Sequence, residues 1–187
     1  MNRLCSIFAS LLLLAGAAQA ANLPSDSIYQ ARIQLTDQNG QSGLLADRRG
    51  TVQLVSMFYT RCTMVCPMII QTMQASRRAA GIEDPARLAL LAVSFDPAMD
   101  NSQVLNDYAV SHRLDARYWS LAHASAPDTR TLAALLGVQY KALSGGGFNH
   151  TSVLLLLDAE GRVLARSETL GTPEPAFVEA IRRATGG

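Results

Sequence analysis

Residues 51–81 read TVQLVSMFYTRCTMVCPMIIQTMQASRRAAG, a strand pattern followed by a helix pattern. The first nine residues form a short, mostly apolar run, which is typical of a buried strand. Pro67 is suited to the first position of a helix, and Gly81 is a common residue at a helix end. The stretch therefore predicts a buried strand over residues 51–59, a short loop, and a helix over residues 67–81.

Strands and helices continue to alternate on both sides of this stretch. Further strands are predicted over residues 28–36, 88–95, 118–121, 151–157 and 162–166, and further helices over residues 101–113, 128–136 and 173–184. Asp100 and Gln103 have the spacing of a capping box at the second helix. The segment DAEG, residues 158–161, predicts a hairpin between the last two strands. This order indicates an α/β domain with a central mixed β-sheet flanked by helices.

The composition indicates one globular domain. Apolar residues make up 49% of the 187 residues, which is enough for a packed core. The 16 basic and 15 acidic residues are scattered along the chain, so no basic surface for nucleic acid is indicated. We find no internal repeat or linker, and we expect residues 21–187 to form a single domain.

The first 20 residues, MNRLCSIFASLLLLAGAAQA, have the pattern of a secretory signal peptide. Arg3 precedes an apolar run over residues 4–16, and Ala18-Gln19-Ala20 is a typical cleavage site. A retained membrane anchor is the alternative, but a spanning helix needs roughly 20 apolar residues and this run is shorter. We expect cleavage after Ala20 and a mature protein that is soluble in the periplasm.

Two cysteines, Cys62 and Cys66, lie between the predicted strand and helix. Because Pro67 follows it, Cys66 is predicted to be the residue that caps the helix. Free backbone N–H groups, the positive end of the helix dipole and the adjacent Arg61 should favour the thiolate at both cysteines. Thiolates bind metals and attack disulfides.

A structural disulfide between Cys62 and Cys66 is the alternative. The chain-entropy estimate for so short a loop is only about 2 kcal/mol. The position of the pair at a strand-to-helix turn instead favours a redox or metal-binding role.

His150 is the third candidate in this site, and it lies between a glycine run over residues 145–147 and the strand predicted over residues 151–157. Two thiolates and an imidazole suit copper, because thiolate holds Cu(I) and nitrogen supports Cu(II). The same set with a water molecule would suit a catalytic zinc, so the ligand types leave both metals open. Met64 and Met68 also offer sulfur, but methionine is more often a packing residue, and we expect both to lie outside the site.

The remaining candidates have simpler expected roles. Asp96 ends a predicted strand before Pro97, and this spacing alone favours a turn or cap. His112 is predicted to end a helix and His123 to follow a strand, as structural or solvated residues.

These motifs together resemble the Sco/SenC family, the copper chaperones named for synthesis of cytochrome c oxidase. The resemblance spans residues 28–184. It is carried by FYTRCTMVCP at residues 58–67, VSFDP at residues 93–97 with Asp100, NHT at residues 149–151, and DAEG at residues 158–161.

The resemblance implies a thioredoxin-like fold in which Cys62, Cys66 and His150 bind Cu(I) or Cu(II). It places Asp96 beside these ligands or in contact with a partner protein. It also implies delivery of copper to an oxidase subunit or a related copper protein, or reduction of the cysteines of that copper site. The redox-active cysteine pair then needs a periplasmic thiol reductant as a second partner.

The chain departs from the usual family loop, Cys-Pro-Asp-x-Cys-Pro, because Thr63 and Met64 replace the proline and the aspartate. A thiol–disulfide oxidoreductase that reduces partner cysteines is the alternative function. Disulfide exchange needs two cysteines and no distant histidine, whereas a three-ligand copper site needs His150. A peroxidase-like thiol enzyme is less favoured, because peroxide chemistry does not call for two thiols with a ligand histidine.

Overall fold

The structure, a computed structural model, describes residues 23–144 and 146–186. The signal peptide predicted over residues 1–20 lies outside these residues, as does Gly145 of the glycine run. The strands are β1 (Gln34–Asp37), β2 (Ser42–Leu44), β3 (Val52–Phe58), β4 (Leu88–Ser94), β5 (Trp119–Ala124), β6 (Tyr140–Ala142), β7 (Phe148–His150), β8 (Leu154–Leu157) and β9 (Val163–Ser167). The helices are α1 (Val65–Ala79), α2 (Ser102–Ser111), α3 (Ala126–Leu136) and α4 (Pro175–Ala184), with short 3-10 helices at Ile28–Gln30 and Leu45–Arg48.

Seven of these strands form one mixed sheet in the order β2-β1-β5-β4-β3-β8-β9. The central strands β3, β4 and β5 are parallel, and the outer strands pair antiparallel. The central strands are buried and are therefore almost continuously apolar. With helices flanking the sheet, the predicted α/β fold with a central mixed sheet is confirmed.

Strands β6 and β7 form a separate two-stranded hairpin, and the second of these strands ends at His150. Tyr140 pairs with His150, and the Thr151 N–H donates to the Gln139 carbonyl oxygen at 2.9 Å. His150 therefore lies in a strand and not in a loop, and the strand predicted over residues 151–157 is limited to Leu154–Leu157.

The first predicted strand is partly wrong. A 3-10 helix occupies Ile28–Gln30, and β1 begins only at Gln34. The Ser27 side chain accepts a hydrogen bond from the Tyr29 N–H at 3.1 Å, which caps the 3-10 turn. This local capping competes with the strand pattern and prevails over it.

The predicted start of α1 is also wrong. The helix begins at Val65 with Met64 as its N-cap, so Cys66 lies within the first turn instead of capping it. Pro67 is tolerated there because the first N–H groups of a helix need no partner inside the helix. The Cys66 N–H is instead bound by the sulfur of Cys62 at 3.3 Å.

The capping box predicted at Asp100 and Gln103 does not form. Asn101 caps α2, and its side chain accepts a hydrogen bond from the Val104 N–H at 3.1 Å. Asp100 is fully buried and serves a different purpose, described below. His123 lies inside β5 and not after it, whereas His112 ends α2 as predicted.

Candidate metal centre

The structure brings together Cys62, Cys66 and His150. One ligand atom from each residue, the two Sγ atoms and a ring nitrogen, lies within 4.8 Å of the other two. Cys62 lies in the loop after β3, Cys66 in the first turn of α1, and His150 at the end of β7. Three separate elements thus supply one compact set of two sulfurs and one nitrogen.

The ring of His150 is oriented by its neighbours. Its centroid lies 5.0 Å from that of Phe95 and 6.1 Å from that of Tyr59. Its Nδ1 atom lies 3.1 Å from the Thr151 carbonyl oxygen, which can only accept a hydrogen bond. A proton on Nδ1 leaves the lone pair on Nε2, as a metal-ligating histidine requires.

Cys62 has the environment of a thiolate. Partial burial acts to raise the pKa of its thiol, but hydrogen bonds from the backbone N–H groups of Cys66, Met64 and Val65 outweigh this effect. The Cys66 thiol also contributes, and the net result is a pKa below the ordinary value. The expectation of a favoured thiolate is confirmed for Cys62.

Cys66 favours the neutral thiol, so the expectation of a favoured thiolate is wrong for this residue. Its side chain is 0% exposed, and burial raises the pKa of its thiol far above the ordinary value. The Tyr59 backbone N–H opposes this shift, whereas Cys62 and the buried Asp100 add to it. Cys66 was predicted to cap the helix, but it lies within the first turn of α1, which carries it into the core.

This asymmetry predicts selective alkylation of the reduced protein. At neutral pH, iodoacetamide should label Cys62 and leave Cys66 unlabelled, because only the Cys62 thiolate is both accessible and populated. Labelling of Cys62 should persist below the pH at which an ordinary cysteine loses reactivity, since its pKa is lowered. Peptide mapping by mass spectrometry measures the label at each cysteine, and unfolding in urea should equalise the two. Equal labelling of both cysteines in the folded protein would contradict the assignment.

Asp96 pairs with Arg61, the residue that precedes Cys62. The Arg61 guanidinium contacts the Asp96 carboxylate at 2.7 Å, and the Asp96 side chain is largely buried while that of Arg61 is half exposed. Arg61 also lines the same cleft as Cys62 and His150. The arginine that was expected to favour thiolates is thus held by an acid, and Asp96 is not among the three clustered ligands.

Tyr59 also belongs to the site, although the sequence patterns did not identify it as a functional residue. Its hydroxyl shares a hydrogen bond with the Cys62 sulfur and accepts one from the Phe148 N–H. Burial raises the pKa of Tyr59, so the hydroxyl stays protonated and can donate to the thiolate. A Cβ atom at Gly147 would lie 3.1 Å from this hydroxyl, so the glycine lets the hairpin approach it. The position of Tyr59 at the end of the predicted strand was the available signal.

Asp100 was expected to cap a helix, but it holds the cysteine loop to the sheet. Its carboxylate accepts hydrogen bonds from the Thr60 N–H at 3.0 Å, the Thr60 hydroxyl at 2.5 Å and the Ser94 hydroxyl at 2.5 Å. Because Thr60 precedes the loop and Ser94 ends β4, these bonds fix the start of the loop that carries Cys62. A buried carboxylate requires such partners.

The sequence matches the SCO1/SenC family over residues 22–186. The chain belongs to the SCO1/SenC family. A comparison with curated protein sequences found no significant match.

Solved structures show that this SCO1/SenC protein shares its fold with known proteins. A proposed electron transfer protein from Aquifex aeolicus VF5 has a TM-score of 0.76 at 21% identity, covering 86% of this chain and 94% of that one. ScoI of Bradyrhizobium japonicum, solved with copper bound, has a TM-score of 0.68 at 24% identity, covering 82% and 98%. BsSco, described as a member of the Sco family of cytochrome c oxidase assembly proteins, has a TM-score of 0.67 at 20% identity, covering 82% and 91%. The predicted thioredoxin-like fold is confirmed.

The SCO1/SenC protein exposes the two methionines that flank Cys66. Met64 is 73% exposed and Met68 is 40% exposed, so neither side chain packs into the core. Met64, with Cys62, Tyr59 and His150, lines a cleft of about 480 Å³ at the metal centre. The cleft makes Cys62 and His150 accessible from outside, whereas Cys66 is enclosed in the core.

The other two histidines lie away from the cluster. His112 stacks on Tyr108 with ring centroids 3.9 Å apart, and His123 lies in β5. Within residues 23–144 and 146–186, the three-residue set at the cleft is the only such group of histidine, cysteine and acidic side chains. None of the helices in those ranges has the length and apolar character needed to cross a membrane.

Proposed function

We propose that this SCO1/SenC protein carries copper as cargo on Cys62, Cys66 and His150 and passes it to a copper-receiving protein. The convergence of two sulfurs and one imidazole nitrogen within 4.8 Å carries the proposal. Thiolate sulfur is the preferred protein ligand of Cu(I), and imidazole supports Cu(II), so the set serves both oxidation states. The copper bound in ScoI of Bradyrhizobium japonicum supports this assignment.

The open cleft favours transfer over permanent storage. Cys62 and His150 are only partly buried, whereas Cys66 is enclosed in the core. A copper ion held by three residues at the base of an open cleft leaves one side free for a ligand from another protein. The receiving protein then displaces the accessible ligands first, and Cys66 is the last to release the ion.

We further propose that the recipient is an oxidase subunit or a related copper protein in the periplasm. The description of BsSco as a member of a family of cytochrome c oxidase assembly proteins supports this role. The proposal includes export with cleavage after Ala20. N-terminal sequencing of the protein from a periplasmic fraction should then begin at Ala21, whereas Met1 in a membrane fraction would contradict it.

Anaerobic metal titration of the reduced protein tests the copper assignment. We expect one copper ion per chain, with thiolate-to-metal absorption in the ultraviolet, and displacement of zinc by Cu(I) in direct competition, because thiolates prefer the softer ion. Iodoacetamide should no longer label Cys62 once copper is bound. If one equivalent of Cu(I) does not displace bound zinc, the result would favour a zinc site and contradict the proposal.

A second function, thiol–disulfide exchange with partner cysteines, is favoured by the asymmetry of the two thiols. The accessible Cys62 thiolate attacks a partner disulfide and forms a mixed disulfide, releasing one partner thiolate, which takes up a proton. The Cys66 thiol then loses its proton and attacks the Cys62 sulfur. The partner leaves fully reduced, and a Cys62–Cys66 disulfide remains, which a periplasmic thiol reductant must reduce.

The reduction potential of the Cys62–Cys66 pair tests this second function. A pair that cycles must be reduced readily, whereas structural disulfides have potentials below about −300 mV. Equilibration with glutathione or dithiothreitol buffers, followed by thiol counting, measures the potential. A value in the structural range would exclude exchange as the working reaction.

A further inference from the structure

The methionines of the described residues fall into two groups. Met57 and Met73 are buried in the core, whereas Met64, Met68 and Met99 are exposed. The three exposed methionines all lie in segments that follow the carboxyl ends of the adjacent strands β3 and β4, where the metal centre is located.

Met64 is the exposed methionine that shares the cleft with the clustered ligands. It lines the cleft together with Cys62 and His150, whereas Met68 and Met99 do not. A Cβ atom at Gly171 would lie 3.8 Å from the terminal methyl of Met68, so Met68 points toward a different segment of the chain. Met64 is also the most exposed of the three, at 73%.

The backbone of Met64 is held close to the metal centre. Its N–H donates a hydrogen bond to the Cys62 sulfur, and the residue is the N-cap of α1. The side chain has three rotatable bonds and a polarizable sulfur, so it adapts readily to a nearby ion. A fixed backbone beside Cys62 with a flexible thioether in the same cleft gives the sulfur access to an ion bound there.

We propose that the Met64 thioether is an additional ligand for Cu(I) and shifts the preference of the site from Cu(II) toward Cu(I). This inference rests on the proposed function and identifies the oxidation state of the cargo. A thioether is a soft, neutral ligand that suits Cu(I), whereas a carboxylate is a hard anion that suits harder ions. Met64 stands where the usual family loop has an aspartate, so a soft thioether replaces a hard carboxylate beside Cys62.

The test compares Met64→Leu with the parent protein and with Met99→Leu as a matched control. Leucine keeps the apolar surface and removes only the sulfur, so it separates a ligand from an apolar docking residue. We expect Met64→Leu to lower Cu(I) affinity about tenfold. This is the lower end of the loss in metal affinity that follows removal of a residue supporting a metal site. Cu(II) affinity should stay unchanged, and Met99→Leu should match the parent in both. Competition with a colorimetric Cu(I) chelator measures the first affinity.

Two further readouts do not depend on delivery of copper. A tenfold loss for Cu(I) alone lowers the reduction potential of the bound ion by about 59 mV, since one electron is transferred. X-ray absorption of the Cu(I) protein should show one sulfur fewer in Met64→Leu than in the parent. Met64→Asp, which restores the acid of the family loop, should lower Cu(I) affinity and raise Cu(II) affinity.

The outcomes separate this inference from the proposed function. If Met64→Leu binds Cu(I) within twofold of the parent affinity and its sulfur count is unchanged, the ligand role of Met64 is overturned. The copper site of the proposed function then remains intact. An equal loss in Met99→Leu also overturns it, because that methionine lies outside the cleft. A parent protein that binds no Cu(I) overturns the proposed function together with this inference.

Discussion

Replacing His150 with alanine is expected to weaken Cu(II) binding by about a hundredfold or more. Loss of a residue that only orients a metal ligand lowers metal affinity by about tenfold to a hundredfold, and here the ligand itself is lost. Cu(I) binding should fall less, since Cys62 and Cys66 supply the thiolates that hold this ion. Disulfide exchange should remain near the parent rate, because it requires only the two cysteines. Copper titration of the reduced protein under anaerobic conditions, beside a thiol-exchange assay on the same preparations, measures all three quantities.

His123→Ala is the matched control for this prediction. His123 lies in β5, outside the clustered ligands, so its removal should leave Cu(II) affinity unchanged. Thermal unfolding of both variants should show that neither loses the fold, since both histidines are only partly buried. If His150→Ala binds Cu(II) as tightly as the parent, His150 is not a ligand, and the thiol–disulfide exchange function becomes the better proposal.

The second large effect is expected for Cys66→Ala, which should abolish both copper binding and catalytic exchange. Cu(I) loses one of two thiolates, and a single thiolate with one imidazole no longer competes with a chelator that the parent resists. In the exchange reaction, Cys62 still attacks a partner disulfide, but no second thiol is available to resolve the mixed disulfide. Mass spectrometry of the variant with a disulfide substrate should therefore show a stable adduct on Cys62.

Cys62→Ala is the informative comparison, because it should lose the first step of exchange and form no adduct at all. Cys66 is fully buried with a raised pKa, so it cannot replace Cys62 as the attacking thiol. Alanine is preferred to serine at residue 66, since a buried hydroxyl without a partner would destabilise the core. Multiple turnover by Cys66→Ala, or copper affinity equal to the parent, would contradict the assigned roles.

Local patterns in the sequence determined the main elements of the fold and the nature of the site. Apolar runs such as residues 51–59 and 88–95 predicted the buried strands β3 and β4, because burial on both faces requires continuous apolar sequence. The cysteine pair was correctly placed after β3, although Cys66 lies within the first turn of α1. The chemistry of two thiolates and an imidazole also followed from residue types alone.

Element boundaries were less predictable where two local signals compete. The cap at Ser27 stabilises a 3-10 helix within a stretch that has a strand pattern. Helix α1 begins before Pro67, because a residue in the first turn does not need to donate an N–H within the helix. Asp100 had the spacing of a cap, yet the hydroxyls of Thr60 and Ser94 donate hydrogen bonds to it instead. The Asp100 outcome depends on Thr60, which is 40 residues away in the sequence, whereas the cap at Ser27 is local.

Sequence by itself thus identified three candidate ligands and showed that two of them follow β3. Tertiary structure alone decided that the β6–β7 hairpin brings His150 to within 4.8 Å of both sulfurs. It also decided that Cys62 and Cys66 differ, because burial sets the pKa of a thiol and depends on the packing of the whole domain. Met64 was left exposed in the cleft for the same reason, since its contacts are set by the segments around it and not by its own residue type.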